Sequence, residues 1–547
     1  MNRPLKKSVS LCLTLAIAAS MLAGCSKSDS GSPSAAPKGD ASQAESAAEK
    51  GTTGSGEKIT LSEWIPFTTN LVGSGYTRYA DVPFYQNLEK ATGVHINYIS
   101  PPVGNEKEAF SLMMASGNLP DLIGYSMYTY SGGPSKALKD GLIVSLNQYL
   151  EKDMPDLNKI YQEHPDVTME LKTTSGDYFC APSLQTYVTE PGKGVISGLI
   201  LRKDWLEELG LPAPTTMDEL HDVLKAFKEK KGAKAPFAGS LDNLAGGHSA
   251  WIYAFGMGGN GYYLDADGKT LRFAPVTENY KKMLTLLAQW YKEGLIDKDF
   301  ITDKDQKQID AKATSGQAGC WYGSNNSQFL KYLQLKKSSD PKYALCGAPV
   351  PVFKKGDTPV YGCISSPHLS GADVSITTAN KHPEESAKYL NYGYTKEGYL
   401  LNNYGVEGDT YTMKDGQPVY TDKILKPSKP SVQVISTFTR INIGGPFERD
   451  ADANDQRLTD EQRGLNQVWG TYTFHKTLPR LQFTDDEVRE MTRYSAVYDR
   501  RDEYAAKFIT GQLPMSKWDD YIKDLEGLGV REDIKIHQAA WDRMQKG

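Results

Sequence analysis

The chain combines short alternating runs that are typical of strands with longer stretches that have helical spacing of apolar residues. Ile59–Trp64 and Val94–Ile99 alternate apolar with polar positions, which predicts two half-buried strands. Val82–Ala91 and Glu106–Ser116 have helical spacing, and Leu119–Ile123 predicts a third strand after a turn. This strand–helix order predicts an α/β fold with a mostly parallel sheet and helices on its faces.

The stretch from Leu199 to Phe227 predicts a strand, a short helix, a turn and a capped helix. Leu199–Leu201 is a short apolar run, and Gly210 is placed to end the first helix. Thr216 and Glu219 fit a capping box at the start of the second helix. Its apolar face has helical spacing: Leu220, Val223, Leu224 and Phe227.

The first 57 residues predict export and tethering rather than a folded core. Basic residues precede an apolar run at Val9–Ala23, which is too short for a stable membrane span and indicates a signal peptide over residues 1–24. The end of this run, Leu22–Cys25, resembles the lipobox of bacterial lipoproteins, which implies lipidation of Cys25. Residues 25–57 are rich in Ser, Gly and Ala, which predicts a flexible tether after the lipidated cysteine.

Composition excludes some functional classes. The 547 residues allow two or more domains, and a net charge of −5 argues against a nucleic-acid partner. The remaining cysteines lack the spacing of a zinc site, and both disulfides and buried thiols stay open for Cys180, Cys320, Cys346 and Cys363. We expect no metal and no cofactor.

Several motifs resemble one known family. Arg202–Trp205 followed by Gly210 and Pro214–Thr216 resembles a characteristic segment of the family 1 extracellular solute-binding lipoproteins of ABC sugar importers. Tyr291–Asp297 and Gly176–Pro182 resemble further segments of the same family. The chain is similar to the large Gram-positive aldouronate and oligosaccharide receptors, and the resemblance covers essentially residues 58–543.

The resemblance implies a two-lobe periplasmic-binding-protein-like (type 2) fold with a hinge and several chain crossovers. It divides the ordered chain into segments with these expected boundaries: 58–184, first part of lobe one; 185–365, first part of lobe two; 366–430, return to lobe one; and 431–547, a mostly helical segment that belongs mainly to lobe two.

In open α/β sheets, ligands bind beyond the carboxyl ends of strands, and aromatic rings there can stack on a sugar. Three tyrosines follow the predicted strand at Leu122, and an aromatic and amide-rich run follows the predicted strand at Gly316–Trp321. The candidate ligand-binding residues are Trp64, Tyr125, Tyr128, Tyr187, Trp251, Trp321, Tyr322 and Asn326. Helical spacing places Trp290 in the core instead.

One segment departs from the pattern of the family. Many members of the subgroup carry a run of acidic and amide residues that cages calcium after the capped helix, whereas Lys228–Pro236 is rich in lysine here. We therefore expect no calcium at this loop. Asp267-Gly268 is better interpreted as a hairpin turn than as part of an EF-hand.

The resemblance implies a monomeric receptor, lipid-anchored at the extracellular face of the cell membrane. It would bind an oligosaccharide between its lobes and deliver it to ABC permease subunits. A sensory receptor for a membrane kinase and a secreted glycosidase are the alternatives, and no motif of a hydrolase is present. The sugar stays open between neutral and uronate-bearing oligomers; Arg440 or Arg449 would read a carboxylate.

Overall fold

Thr60 begins the first strand of a four-stranded sheet in the computed structural model, which describes residues 59–186, 195, 197–246, 249–259, 261–303, 306–362, 373–474, 476 and 478–546. The described residues belong to a unit that spans Glu57–Gly547. The predictions for the signal peptide, Cys25, Tyr187 and Cys363 lie outside the described residues.

The strands are β1 (Thr60–Trp64), β2 (His95–Ile99), β3 (Leu122–Gly124), β4 (Ser183–Leu184), β5 (Ser197–Arg202), β6 (Phe237–Ala238), β7 (Tyr262–Leu264), β8 (Leu271–Phe273), β9 (Cys320–Ser324), β10 (Leu345–Ala348), β11 (Val374–Ile376), β12 (Tyr411–Lys414), β13 (Gln417–Tyr420) and β14 (Phe447–Glu448).

The α-helices are α1 (Thr69–Ser74), α2 (Pro83–Thr92), α3 (Glu106–Ser116), α4 (Gly133–Lys139), α5 (Pro155–Glu163), α6 (Pro165–Leu171), α7 (Lys203–Leu209), α8 (Met217–Lys231), α9 (Leu241–Ala245), α10 (Ala250–Ala254), α11 (Glu278–Lys292), α12 (Gln306–Thr314), α13 (Lys331–Lys336), α14 (Pro383–Asn391), α15 (Lys396–Tyr404), α16 (Asp422–Leu425), α17 (Ser431–Phe438), α18 (Ala451–Asp455), α19 (Asp460–Trp469), α20 (Asp485–Met491), α21 (Ala496–Thr510), α22 (Trp518–Gly527) and α23 (Val530–Met544). A π-helical turn, Asn325–Leu330, leads from β9 into α13.

Lobe one is built on the sheet with strand order β11-β3-β1-β2. Strand β1 pairs in parallel with both β2 and β3, as the strand–helix order predicts, and β11 adds an antiparallel edge. Because β11 begins where β3 ends, the chain that returns at Asp373 enters lobe one at the carboxyl end of its central strands.

Lobe two is built on the sheet with strand order β10-β5-β9-β6. Strand β6 runs parallel to β9, while β5 runs antiparallel to both β9 and β10. Strand β5 begins opposite the end of β9, with Ser197 paired to Ser324. The first crossover therefore enters lobe two at the end of the sheet where β6 and β9 finish.

Each lobe has its own apolar core. The core of lobe one joins residues of 61–184 to residues of 374–401, so the returning segment completes it. In lobe two, Cys320 and Tyr322 of β9 face one apolar cluster and Trp321 faces another, which means that this sheet is covered on both faces. The hairpin β7–β8 confirms the turn predicted at Asp267-Gly268.

The capped helix is confirmed in detail. The Thr216 hydroxyl accepts the Glu219 N–H at 3.1 Å, and the Glu219 carboxylate accepts the Thr216 N–H at 3.3 Å. Gly210 ends α7 in the left-handed conformation that glycine adopts most easily. The predicted apolar face of α8 is buried.

The last part of the chain contributes to both lobes. Helix α17 packs against α1 and α2 of lobe one, and β14 pairs with β4. Helix α19 packs on the lobe-two sheet, where the Trp469 ring lies over Gly198; a Cβ at residue 198 would come within 2.4 Å of that ring. Glycine at this position therefore permits the close approach of α19 to β5.

None of the helices in the described part of the chain combines the length and the hydrophobicity that crossing a membrane requires.

Candidate functional site

A pocket of about 380 Å³ lies at the end of the lobe-two sheet where β6 and β9 finish and β5 begins. This end adjoins the first crossover between the lobes. Hydroxyl, amide and carboxylate groups dominate its lining, together with one tyrosine ring: Ser240, Asp242, Asn243, Tyr322, Ser324 and Gln328. Its size and its polar groups suit a small hydroxylated ligand.

Two serine caps hold the amide side chains of the pocket. Asn243 Oδ1 accepts the Ser240 N–H at 3.0 Å, and the Ser240 hydroxyl accepts the Asn243 N–H at 3.4 Å. Gln328 Oε1 accepts both the N–H and the hydroxyl of Ser324, at 2.7 and 3.1 Å. Since these bonds fix the orientation of the Gln328 amide, its Nε2, which has no partner among the described residues, can donate to a ligand.

Glycine lets the Gln328 side chain lie against the strand. A Cβ at Gly323 would come within 2.8 Å of Gln328 Cβ and within 3.1 Å of Ile200 Cδ1. Any larger residue at position 323 would therefore displace the amide that caps the π-helical turn.

A cluster of ion pairs lies on this side of lobe two. Lys312 Nζ lies 2.6 Å from carboxylate oxygens of Asp297 and Asp303, and 3.2 Å from Asp299. Although burial lowers the pKa of Lys312, the hydrogen bonds to Asp297 and Asp303 raise it well above its usual value. Three carboxylates thus share one ammonium, and Asp303, which lines the pocket, is already ion-paired.

An aromatic group lies at the carboxyl end of the lobe-one sheet. The Trp64 and Tyr125 rings meet edge to face at 5.5 Å, and Phe110 lies 5.0 Å from Tyr125. Trp64 is buried in the lobe-one core, whereas Tyr125 is half-buried. The structure therefore gives Trp64 a supporting position and leaves Tyr125 as the partly accessible ring, which corrects the expectation that Trp64 itself contacts ligand.

Tyr128 lies at a contact between the lobes that involves residues 478–484, here called the interlobe strap. The Tyr128 hydroxyl donates to the Glu170 carbonyl at 2.9 Å, and Gln482 Nε2 donates to the Tyr128 hydroxyl at 2.5 Å. Arg543 of α23 donates to the Gln482 carbonyl at 2.9 Å, which holds the strap on lobe two. A second contact joins Lys139 to Asp485 at 2.8 Å.

A buried carboxylate follows the second crossover in lobe one. Neither oxygen of Asp373 has a hydrogen-bond partner among the described residues. Burial raises the pKa of Asp373 to about 6, although the nearby charge of Arg480 opposes the shift. The exposed Arg480 guanidinium lies 4.2 Å from the centroid of the Tyr128 ring.

The two arginines predicted to read a ligand carboxylate have other surroundings. Arg440 is buried in lobe one, where its guanidinium lies 5.6 Å from the centroid of the Tyr85 ring. The prediction for Arg440 is wrong, because the side chain is enclosed within one lobe. The guanidinium of the half-buried Arg449 donates to the Ser183 hydroxyl at 3.1 Å, across the β4–β14 pair.

Two predicted stacking residues are core residues. Trp251 and Trp321 have 0% exposed surface. The Trp251 ring packs edge to face on Trp290 at 5.3 Å, and the Trp321 ring lies 5.7 Å from Tyr332. The prediction that they stack on a ligand is wrong, because each ring is enclosed by side chains of its own lobe and separation of the lobes would not expose it.

The other predicted site residues are distributed around the pocket or outside the described part of the chain. Tyr322 lines the pocket. The exposed Asn326 accepts a hydrogen bond from Gln462 Nε2 at 2.9 Å, next to the pocket. Tyr187, which was also predicted to bind ligand, lies in a segment that the structure does not describe. The structure thus places Tyr322 at the pocket and Trp64 with Tyr125 in lobe one, while Tyr128 lies at the strap.

Sequence reasoning missed Ser240, Asp242, Asn243 and Gln328. A detectable signal was present, because Ser240 and Asn243 form a capping box directly after β6. An N-cap that follows a strand marks the carboxyl end of a sheet, where α/β proteins bind ligands.

The cysteines that the structure describes are free thiols. Cys180 and Cys320 are buried, and Cys346 is half-buried. Burial raises the pKa of the Cys346 thiol to about 11, which keeps it protonated at neutral pH.

The chain is similar to proteins that bind saccharides. It is 26% identical over 493 residues to the fructooligosaccharide ABC transporter substrate-binding protein FusA of Streptococcus pneumoniae, with 84% of this chain and 86% of FusA covered. It is 27% identical to the polygalacturonan/rhamnogalacturonan-binding protein YtcQ of Bacillus subtilis, with 83% and 87% covered. The structure of FusA in complex with kestose superposes with a TM-score of 0.69 at 22% identity, over 89% of this chain and 99% of FusA.

The alginate-binding protein AlgQ2, solved without calcium ion, has the same fold. Its TM-score is 0.67 at 24% identity, over 89% of this chain and 98% of AlgQ2. In this chain, the loop that follows α8 does not suit a calcium ion. Lys228 donates to the Glu293 carbonyl at 2.5 Å, Lys231 is ion-paired with Glu208, and Gly232 ends α8. Ammonium groups hold this corner together and would repel a cation.

A family model supports the fold over more than half of the chain. The model for bacterial extracellular solute-binding proteins matches residues 73–399, which include the lobe-one sheet from β2 onward and the whole lobe-two sheet. The two lobes, the two crossovers and the polar pocket beside the first crossover agree with this match. The chain belongs to the bacterial extracellular solute-binding protein family.

Proposed function

We propose that this protein captures an oligosaccharide between its two lobes and presents it to the permease of an ABC importer. The observation that carries the proposal is the pocket at the carboxyl ends of β6 and β9, where hydroxyl, amide and carboxylate groups surround Tyr322. Such groups satisfy sugar hydroxyls in both hydrogen-bonding directions, and an aromatic ring covers the apolar face of a pyranose or furanose.

The architecture explains how binding leads to delivery. A ligand that contacts both lobes stabilises the arrangement in which the lobes are together, so binding shifts the population toward the closed form. The proteins FusA and YtcQ, which share most of their length with this chain, are named for saccharide ligands. They support a saccharide as the ligand here.

The proposal includes a lipid anchor at Cys25 and an extracellular location. The short apolar run before Leu22–Cys25 supports this assignment, because it suits an export signal that ends at a lipobox. An acylated cysteine that carries more than one chain would hold the receptor stably at the membrane, and the polar segment that follows would let it reach a permease.

A thermal-shift screen of the full-length protein against oligosaccharides tests the proposal. A ligand at a hundred times its dissociation constant stabilises the folded state by about 2.7 kcal/mol, which raises the melting temperature measurably. We expect at least one oligosaccharide to do so and to be recovered unchanged by chromatography after incubation. If no saccharide shifts the transition, the proposal is wrong; if the bound saccharide is cleaved, the protein is a glycosidase instead.

A further inference from the structure

A turn of π-helix follows strand β9 and places the amide side chain of Gln328 at the pocket. The turn, Asn325–Leu330, begins directly after Ser324, the last residue of β9. π-Helical turns are rare and occur frequently at functional sites. This one lies at the end of the sheet where the pocket opens, and Gln328 is one of the residues that line the pocket.

The Gln328 amide has one orientation. It meets the backbone N–H of Ser324 at 2.7 Å and the Ser324 hydroxyl at 3.1 Å. Because a backbone N–H can only donate, the atom that it meets is the oxygen Oε1, and Nε2 takes the other position of the amide. Gln328 therefore offers a donor to the pocket, and this direction cannot be reversed without breaking the bonds to Ser324.

Neighbouring elements hold this donor in place. Gln462 of α19 donates to the Asn325 carbonyl at 3.2 Å, which ties the π-helical turn to that helix. The Gln328 side chain is buried against Gly323, where a Cβ would come within 2.8 Å of Gln328 Cβ. A side chain that is already ordered loses little conformational entropy on binding, which favours its use as a ligand contact.

The Nε2 amino group of Gln328 has hydrogen-bonding capacity that the protein leaves unused. No residue in the described part of the chain accepts a hydrogen bond from it, although Gln328 is only 8% exposed. Elsewhere in the lining, the Ser240 hydroxyl donates to Asn243 Oδ1 at 3.1 Å, and Asp303 is ion-paired with Lys312 at 2.6 Å. An unbonded amide N–H in a partly desolvated site is costly, so a ligand that accepts from it gains affinity.

From this geometry we propose that Gln328 is a specificity-determining residue, whose Nε2 donates a hydrogen bond to an acceptor oxygen of the bound saccharide. The acceptor is a hydroxyl oxygen or the acetal oxygen of a ring or glycosidic bond, since each has a lone pair to offer. A ligand without an acceptor at this point leaves the amide unpaired, so the pocket discriminates against it. This inference rests on the proposed function and names the residue that orients the ligand in the same pocket.

Isothermal titration of the full-length protein tests this role of Gln328. The probe is whichever of kestose, raffinose and trigalacturonate binds the unmodified protein most tightly. Gln328→Met keeps the length of the side chain but removes the donor, so the affinity should fall by about tenfold. An affinity within about twofold of that of the unmodified protein would overturn the inference.

Thr216→Ala controls for the helix cap that Gln328→Met also removes. Thr216 caps α8 in the same lobe and does not line the described pocket. The loss of a cap should lower the melting temperature of a chain this long by no more than a few degrees in either variant. We expect Thr216→Ala to keep full affinity. If it weakens binding as much as Gln328→Met does, the effect reflects lost stability and the inference is wrong.

Gln328→Glu shows which kind of oxygen is bound. Its carboxylate can still accept both bonds from Ser324, but it presents a second acceptor in place of Nε2. A ring or glycosidic oxygen can only accept, so the affinity should then fall further than in Gln328→Met. A hydroxyl can turn and donate to the carboxylate, so the affinity should then stay near that of the unmodified protein. Either result supports the inference when Gln328→Met binds more weakly.

The outcomes separate the inference from the proposed function. If none of the three saccharides binds the unmodified protein, the proposed function and the inference both fail. If one of them binds and Gln328→Met binds it equally well, the inference alone fails and the protein is still a saccharide receptor.

Discussion

Replacing Tyr128 with Phe tests whether the interlobe strap contributes to ligand affinity. Tyr128→Phe removes the hydroxyl that donates to Glu170 and accepts from Gln482, while it keeps the aromatic ring. Gln482 is buried, and it retains its hydrogen bond to the Glu170 carbonyl at 3.1 Å. The loss of the two hydrogen bonds should therefore cost about 1–2 kcal/mol.

This cost should appear as weaker ligand binding, because the contact joins lobe one to a strap that Arg543 holds on lobe two. If the free energy of this arrangement of the lobes rises by about 1–2 kcal/mol, the affinity for the ligand falls by roughly 5- to 30-fold. The assay is calorimetric titration with a saccharide identified in the thermal-shift screen, together with thermal unfolding of the free protein.

Tyr130→Phe is a matched control. The Tyr130 hydroxyl donates to Asp140 at 2.7 Å within lobe one, so its removal should leave affinity unchanged. An unchanged affinity in Tyr128→Phe would refute the role of the strap. If Tyr128→Ala then abolished binding, Tyr128 would be a stacking residue, as the sequence pattern predicts.

Three further predictions concern pH, calcium and the lipid anchor. Burial raises the folded-state pKa of Asp373 from its usual 3.8 to about 6. The buried carboxyl group therefore does not destabilise the fold below about pH 3.8, where it is protonated, but it lowers the free energy of unfolding as the pH rises through 6 and it ionises. Asp373→Asn should therefore stabilise the protein by about 3 kcal/mol at pH 7.5 and have little effect at pH 4 in urea unfolding, whereas an equal effect at both pH values contradicts the assignment. EDTA and added calcium should leave the melting temperature unchanged, since lysines occupy the loop at 228–234; a shift of several degrees with calcium would contradict this prediction. Cys25→Ala should move the protein from the membrane fraction to the medium, and its retention in the membrane would disprove lipidation at that residue.

The elements with strong local signals could be predicted from the sequence. The capping box at Thr216 and Glu219, the turn at Asp267-Gly268 and the buried Trp290 follow from interactions within a few residues or from helical spacing. The parallel part of the lobe-one sheet follows from the order of its strands and helices.

The candidate site was harder to predict, because it depends on where a strand ends and which faces of a sheet are covered. The sequence interpretation placed Trp321 at the end of its strand, but β9 continues to Ser324. In a sheet that is covered on both faces, a residue in the interior of a strand is enclosed on either face, as Trp321 is, whereas Tyr322, nearer the end of β9, reaches the pocket. Because the strand is three residues longer than the sequence predicted, Trp321 lies in its interior and belongs to the core instead of contacting ligand.

The interlobe strap illustrates a second limit of sequence reasoning. Residues 478–484 have no regular secondary structure, yet Leu481 packs with Trp541 while Gln482 reaches Tyr128 in the other lobe. Tyr128 and Gln482 are separated by 354 positions in the chain, so no local pattern pairs them.

Small-angle X-ray scattering with and without ligand tests the central claim most directly. The ligand is the first oligosaccharide that raises the melting temperature of the full-length protein. We expect the radius of gyration to decrease on saturation and to return to its starting value when the sugar is removed, because a ligand held by both lobes stabilises the closed arrangement. A radius of gyration that stays the same while calorimetry shows saturation would contradict capture between the lobes.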